Sequence, residues 1–436
     1  MAEEYSALPA DRPVRLAKKT SNLFRSRERT RPSLDAGGLD SVLSVDPVQR
    51  TADVQGMTTY EALVEATLPH GLMPMVVPQL KTITLGGAVT GLGIESSSFR
   101  NGCPHESVTE LEVLTGEGEV VVATATNEHR DLFFGFPNSY GSLGYATRLR
   151  IELEPVKPFV HLRHVRYADF DTFFAALAEA CADGAHDFVD GVVFGSTEMY
   201  LTLAAFEETA PYTSDYTGMD IYYRSIQQRR DDHLTVHDYL WRWDTDWFWC
   251  SRAFGVQSPG VRRLWPRRWL RSDAYWRIVA FEKRYGPMRR IDALRGRPAR
   301  EDVVQDVEIP VGRTAEFLRF FTGHVPITPV WVCPLRQRDR DAEWDLSPLD
   351  PDTLYVNVGF WSTVALAEGE ADGTYNRRIE SEVARLGGRK SLYSTSYYSE
   401  DQFWEIYHGD AYDRLKKEYD PQGRLLDLYD KTVKRR

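Results

Sequence analysis

The spacing of apolar positions changes several times along the chain, and each change marks an element. DSVLSVDP (40–47) and RTADVQG (50–56) alternate apolar and polar residues, which predicts two short strands, the second ending at Gly56. Tyr60, Leu63, Val64 and Leu68 recur at helical spacing behind a Thr58–Glu61 capping box, and Gly71 stands where that helix should stop. LMPMVVP (72–78) reads as a buried strand. TLGGAVTGLGIESSSFRNG (84–102) is too rich in glycine for a helix or strand interior, so it predicts a loop whose backbone closely approaches something. SVTELEVLTGEGEVVVAT (107–124) predicts a hairpin turning at TGEG, with Leu111, Val113, Val120 and Val122 at period two. A short helix at EHRDLFF follows, then a second Gly/Ser loop in NSYGSLGYATRLRIELEPV (138–156) that runs into an alternating strand ending at Pro155.

Beyond this point the texture shifts. ADFDTFFAALAEACADG (168–184) is an amphipathic helix with Asp169 as its N-cap, and strands such as FVDGVVFG and MYLTLAAF alternate with helices. RDRDAEWDLSPLDPDT (338–353) is an acidic loop without calcium-loop spacing. The expected organisation is a first domain over residues 1–157, a second, α+β domain over 158–400, and a C-terminal helical segment over 401–436 packing back on the first.

Composition narrows the class. A chain of 436 residues that is 42% hydrophobic and 12% aromatic is globular, with room for two or three domains. Its 53 basic and 64 acidic residues leave a net charge of −11, which disfavours a general grip on phosphate backbones, so no nucleic-acid partner is expected. The N-terminus lacks an apolar core of about 7–15 residues and nowhere is there a run of about 18, so neither a signal peptide nor a membrane span is expected. Cys103, Cys181, Cys250 and Cys333 are scattered without a CxxC, and His161 and His164 lack further ligands. These features predict a cytoplasmic protein, with no metal.

Two Gly/Ser loops bracketing a hairpin suggest a phosphate-bearing cofactor cradled by backbone, although glycines that simply turn corners would read the same way. Neither a Rossmann GxGxxG nor a Walker GxxxxGK[ST] is present. The residues themselves are more specific. TLGGAVTGLGIESSS (84–98), NGCPHESVTELEVLTGEGEVV and NEHRDLFFGFPNSYGSLGYATRLRIELEP resemble the FAD-binding domain of the p-cresol methylhydroxylase and vanillyl-alcohol oxidase flavoproteins. GLGIESSS (91–98) resembles the Delta(24)-sterol reductase branch in particular. QDVEIPV (305–311), TPVWVCP (328–334), LYVNVGF (354–360), SLYSTSYYSEDQFWE (391–405) and LYDKTVKR continue the likeness to the C-terminus. A second group resembling that branch comprises bacterial flavoproteins that reduce 10-methylene to 10-methyl fatty acyl chains, and this chain looks closer to those.

The resemblance implies an α+β fold, with a two-subdomain FAD-binding domain and an α+β substrate cap. It implies non-covalent FAD, since LAKKTSNLFR has no histidine to carry the flavin, and NADPH as electron donor. The expected FAD contacts are Thr84, Leu85, Gly86, Gly87, Thr90, Gly91, Gly93, Ile94 and Glu95, the hydroxyls of Ser96, Ser97 and Ser98, then His105, Gly141, Ser142 and Gly144. The amides of Gly86, Gly87, Gly91 and Gly93 are expected to face the pyrophosphate and ring.

The implied reaction reduces an isolated alkene in a lipid, most simply a 10-methylene acyl chain, with a Δ24 sterol or oxidation of an alcohol as alternatives. Such an alkene has no carbonyl to absorb charge, so a proton must lead or accompany the hydride, and the site needs a positioned acid in a dry pocket. Tyr393 is the expected donor, with Asp306 and Glu405 as carboxylates and Trp331, Cys333 and Tyr397 on the substrate side. Each also has a purely structural reading as a packed aromatic, inert buried thiol, cap or ion-pair residue.

Between Arg252 and Arg271 lie six arginines and no acid, interleaved with Phe254, Leu264, Trp265, Trp269 and Leu270. That combination predicts a lipid substrate met at a membrane surface, with the protein peripheral on its inner face, although a solvated basic helix would show the same charges. A methylene substrate would also require a methyltransferase as functional partner.

Overall fold

The computed structural model describes residues 1–18, 24–25, 31–286, 295–347 and 349–434. The alternating N-terminal segments form an antiparallel sheet in the order Val42–Asp46, Thr51–Gln55, Gly144–Pro155, Val108–Thr115, Val120–Ala123, and Leu72–Pro74 pairs with the far end of its long third strand. The helix Tyr60–Thr67 packs Leu63 and Val64 into the core. Its N-cap is Thr59, one residue later than the capping-box spacing predicts. Thr58 is buried instead, its carbonyl accepting the Leu85 N–H at 2.9 Å.

The glycine-rich stretch departs from the predicted loop. Leu85–Gly91 is a helix, capped by Thr84, whose hydroxyl accepts the Gly87 N–H, and Ser98–Asn101 is a further turn. The glycines serve close packing: a Cβ on Gly86 would lie 2.7 Å from the Gly56 carbonyl oxygen. A strong cap and absent side chains outweigh glycine's modest helix cost of about 1 kcal/mol each.

Residues 159–390 build an eight-stranded antiparallel sheet ordered Asp231–Thr235, Phe159–Tyr167, Glu198–Glu207, Phe188–Gly195, Val330–Leu335, Tyr355–Ala365, Arg300–Pro310, Arg389–Lys390. Period two splits its faces. Val189, Val193, Val330, Val332, Val356, Val358, Val307 and Ile309 share an apolar core with the helices Phe170–Ala182, Val311–His324 and Thr374–Arg385. The helix at 170–182 begins at Asp169, whose side chain accepts the Thr172 N–H at 2.8 Å. The other face is polar and aromatic, and register aligns Asp190, Trp331, Cys333, Asn357, Trp361, Asp306 and Glu308 on it. That face turns toward the N-terminal sheet, and the fold is α+β.

The last helices return to the N-terminal part. Lys416 Nζ donates to the Ser142 carbonyl at 2.8 Å and the Tyr419 hydroxyl to Asp131 at 2.7 Å. Among the described residues no helix is long and apolar enough to cross a membrane.

Candidate active site

Between the glycine helix and the polar face of the large sheet lies a cavity of about 240 Å³. Thr84, Gly86, Gly87, Thr90, Gly91, Gly93 and Ile94 line one side, joined by Gly141 and Gly144 of the second glycine loop. Trp247, Phe248, Trp331, Trp361 and Tyr393 form the opposite wall, with Asp306, Asn357 and Ser391 as its polar positions. The wall is tightly built: the Phe248 and Trp361 rings are 4.3 Å apart, and Trp331 lies 5.6 Å from Phe248. Trp247 and Phe248 hold positive φ angles of 46° and 58°, a costly conformation for aromatic residues that turns both rings toward the cavity.

This space suits a flavin. A Cβ on Gly91 would come within 3.3 Å of the Tyr140 ring and one on Gly93 within 2.8 Å of Pro78, so glycine lets the backbone pack closely against the residues that border the space. Flat aromatic groups face it. The contribution of the glycines is shape rather than free donors, which corrects the expectation about their amides: Gly86 N–H donates to the Gly56 carbonyl, Gly87 N–H to Thr84, and Gly93 N–H to the Ala88 carbonyl. A neighbouring segment, the helix cap and the turn that closes the helix consume these groups.

Other expected flavin contacts lie elsewhere. Leu85 is buried in the core, and Ser142, bonded to the Ser139 carbonyl, does not border the cavity. His105 is buried edge-on to Trp344, and burial pushes its ring down to about 3, so it is neutral. Glu95 to Ser98 clasp the two halves of the molecule instead. Glu95 pairs with Arg242 at 3.0 Å, Ser96 Oγ meets the Tyr239 hydroxyl at 2.9 Å, Ser97 Oγ donates to the Met75 carbonyl, and Ser98 Oγ accepts the Glu95 N–H. Arg242 also pairs with Asp190 at 3.0 Å, and Asp190 accepts the indole N–H of Trp331 at 3.1 Å. The motif therefore reaches the cavity wall through a buried relay of charge.

Of the expected catalytic residues, Tyr393 and Asp306 come together and Glu405 does not. The Tyr393 hydroxyl accepts the Trp361 indole N–H at 2.9 Å, beside the Asp306 carboxyl, which in turn accepts the Asn357 amide at 2.9 Å. Burial raises Asp306 to about 6, against the opposing pull of Asn357 and Tyr393. Two residues along the strand, burial raises Glu308 to about 8, and the Ser391 hydroxyl lies 2.7 Å from it. Glu405 is exposed on the helix Glu400–Ile406, because the helical turn after Ser399 buries Phe403 and leaves Glu405 in solvent. Tyr397 packs on Gly373 under Arg377, away from the cavity. Cys333 sits beneath the wall, its thiol driven well up by burial. No group of three or more metal-ligating side chains is assembled among the described residues.

Sequence reasoning passed over Trp247, Phe248, Trp361, Asn357 and Gly359. The run WRWDTDWFW (241–249) was the available signal. Gly359 lies between Trp331 and Asp306 in the sheet register, and a Cβ there would fall 2.4 Å from the Asp306 carboxylate. Gly359→Ala should therefore displace Asp306 and cut turnover by about tenfold or more while flavin content is retained, read from flavin absorbance beside steady-state rates.

Comparison with known proteins agrees with this geometry. Residues 7–124 match the FAD binding domain family. The chain is 24% identical over 438 residues to the Delta(24)-sterol reductase of Arabidopsis thaliana, covering 92% of this chain and 77% of the relative. It is 24% identical over 420 residues to the Homo sapiens Delta(24)-sterol reductase, covering 91% and 77%. A third relative, cytokinin dehydrogenase 6 of Oryza sativa, is 31% identical over 192 residues, 43% of this chain and 34% of its own.

Proposed function

We infer that this chain, an FAD-linked oxidoreductase of the Delta(24)-sterol reductase-like branch of the p-cresol methylhydroxylase and vanillyl-alcohol oxidase flavoproteins, reduces an isolated carbon–carbon double bond in a lipid. The observation that carries the reading is the pairing of Tyr393 with a half-buried carboxyl, Asp306, on an aromatic wall that faces the glycine helix across the cavity. FAD, when bound between the glycine helix and the aromatic wall, would supply hydride chemistry, with NADPH as the source of electrons.

The chain's own groups manage the proton. With Asp306 protonated, its hydrogen can pass to the Tyr393 oxygen as the phenol proton moves to the less substituted alkene carbon. The Trp361 N–H steadies the oxygen meanwhile. The tertiary cation then meets the faces of Trp331, Phe248 and Trp361 and the new Asp306 carboxylate, which stabilise it.

Relatives named as sterol reductases over nine-tenths of this chain support a Δ24-type trisubstituted alkene ahead of the 10-methylene acyl chain that the sequence first suggested. Both protonate to a tertiary cation, so the same residues serve either. The test is anaerobic. NADPH should bleach the purified yellow protein, and a Δ24 sterol should restore the oxidised spectrum with saturated product. Restoration only by a 10-methylene acyl phospholipid would move the substrate to acyl chains and call for a methyltransferase as supplier. Rapid reoxidation by air with no NADPH bleaching would replace the reductase reading with an oxidase.

A further inference from the structure

Six of the twelve exposed large apolar side chains among the described residues fall between Val261 and Tyr285. Leu264 is 86% exposed, Phe281 57% and Trp269 50%. A globular surface scatters such residues singly, so their concentration in one segment marks a contact surface. Two helices and the turn joining them carry it. Pro259–Leu264 presents Val261 and Leu264, the turn Arg267–Trp269 presents Trp269, and Ser272–Tyr285 presents Ile278 and Phe281 at helical spacing on its outer face.

The charges refine the sequence reading of this segment. Arg262 is buried against Asp246, and Arg271 pairs with Glu61 and Asp273, so neither serves the surface. Arg263 and Arg268 are exposed and pair with no carboxylate among the described residues. Arg267 and Arg268 also border a second cavity of about 150 Å³ with Lys81 and Arg271, against the carboxylates Asp238 and Asp244. Exposed arginines around protruding Leu, Trp and Phe match an anionic interface, with rings at headgroup depth and guanidinium groups on phosphate. In a chain of net charge −11 this local reversal also fixes which face approaches.

The same helix reaches the active site from its inner side. Trp276 packs edge-on against Phe24, centroids 5.0 Å apart, and against Trp247 at 6.0 Å, and both partners line the main cavity.

We propose that the ridge from Val261 to Phe281 docks on an anionic phospholipid bilayer, with phosphate headgroups at Arg263 and Arg268, and that lipid passes inward along the Ser272–Tyr285 helix. What the bilayer delivers rests on the alkene reading above; the docking itself does not.

The test is flotation of the holoprotein with vesicles of phosphatidylcholine and phosphatidylglycerol at low salt, which reads no turnover. Wild type should float with these vesicles and not with phosphatidylcholine alone. Leu264→Asp combined with Phe281→Asp should lower partition by about 100-fold or more, since each removes an exposed apolar group that the bilayer would bury and adds a charge. Arg263→Glu with Arg268→Glu, two surface changes that leave the core untouched, should lower it by about 25-fold or more, at about fivefold per arginine lost. Flavin absorbance and turnover of detergent-dispersed alkene should be unchanged in both. Wild type left in the lipid-free fraction, or variants floating like wild type, would overturn the proposal. So would a dimer that the Leu264/Phe281 variant converts to monomer, which assigns the ridge to a second copy.

Discussion

Arg242→Met should destabilise the folded protein by about 3–5 kcal/mol, the usual result of removing one partner from a buried ion pair. Arg242 is almost wholly buried, and its guanidinium holds Glu95 and Asp190 at 3.0 Å each while donating to the Tyr239 carbonyl at 2.9 Å. The Tyr239 ring lies 4.0 Å from the cation. Burial and the Asp190 charge hold the Glu95 carboxyl above its ordinary range against the pull of Arg242. Without the cation, two carboxyls remain in a dry space with no counter-charge. Lysine should rescue little, because a single ammonium lacks the planar fork that reaches two carboxylates and a carbonyl together. The discriminating measurement is a denaturant midpoint series. If the cost is uncompensated charge, Arg242→Met with Glu95→Gln and Asp190→Asn should recover part of the loss, whereas a simple cavity effect would make the three changes additive. Because Asp190 anchors the Trp331 indole, Arg242→Met should also alter the tryptophan fluorescence of the cavity wall.

This clasp shows where the sequence was legible and where it was not. GLGIESSS pointed to the right domain, and its first half does line the cavity through Gly91, Gly93 and Ile94. Its second half binds protein, since the partner that turns ESSS inward is Arg242, which lies 147 positions beyond Glu95 and belongs to no local pattern. Tyr393 and Asp306 were legible as chemistry-bearing residues through the stretches that carry the family resemblance. Their meeting depends on strand order: Arg389–Lys390 pairs with Arg300–Pro310 and the Ser391 N–H donates to the Asp306 carbonyl, while Tyr355–Ala365 on the other side brings Gly359 opposite Asp306. Period two gives the face of a strand but not its neighbour, so Asn357 and Trp361 could not be assigned to the site. Glu405 failed for the converse reason: a carboxylate beside Phe403 and Trp404 was assigned by proximity in sequence, and helical rotation carries it outward.

Tyr393→Phe should lower the rate of alkene reduction by about 100-fold, the low end for loss of a general acid, and leave NADPH bleaching of the flavin unchanged. The substitution keeps the ring that packs edge-on to Phe24 at 5.9 Å and removes only the oxygen that meets Trp361. The direction with pH follows from Asp306. Its raised value of about 6 means that the protonated form persists further upward than for an ordinary aspartate. Burial, with the ionised Asp306 carboxylate adding to it, pushes Tyr393 well up, which makes the phenol a poorer acid. Neutral Asp306 can replace the proton as it leaves. The alkene step should therefore be fastest below about pH 6 and fall as Asp306 ionises, and Asp306→Asn should give a slow, flat profile, measured by single-turnover reoxidation of the prereduced protein. A limb near pH 8 instead would identify Glu308, the buried carboxyl two residues along the strand, as the proton source. A Tyr393→Phe rate within about threefold of wild type would remove the phenol from the reaction, because loss of a general acid that transfers the proton costs far more.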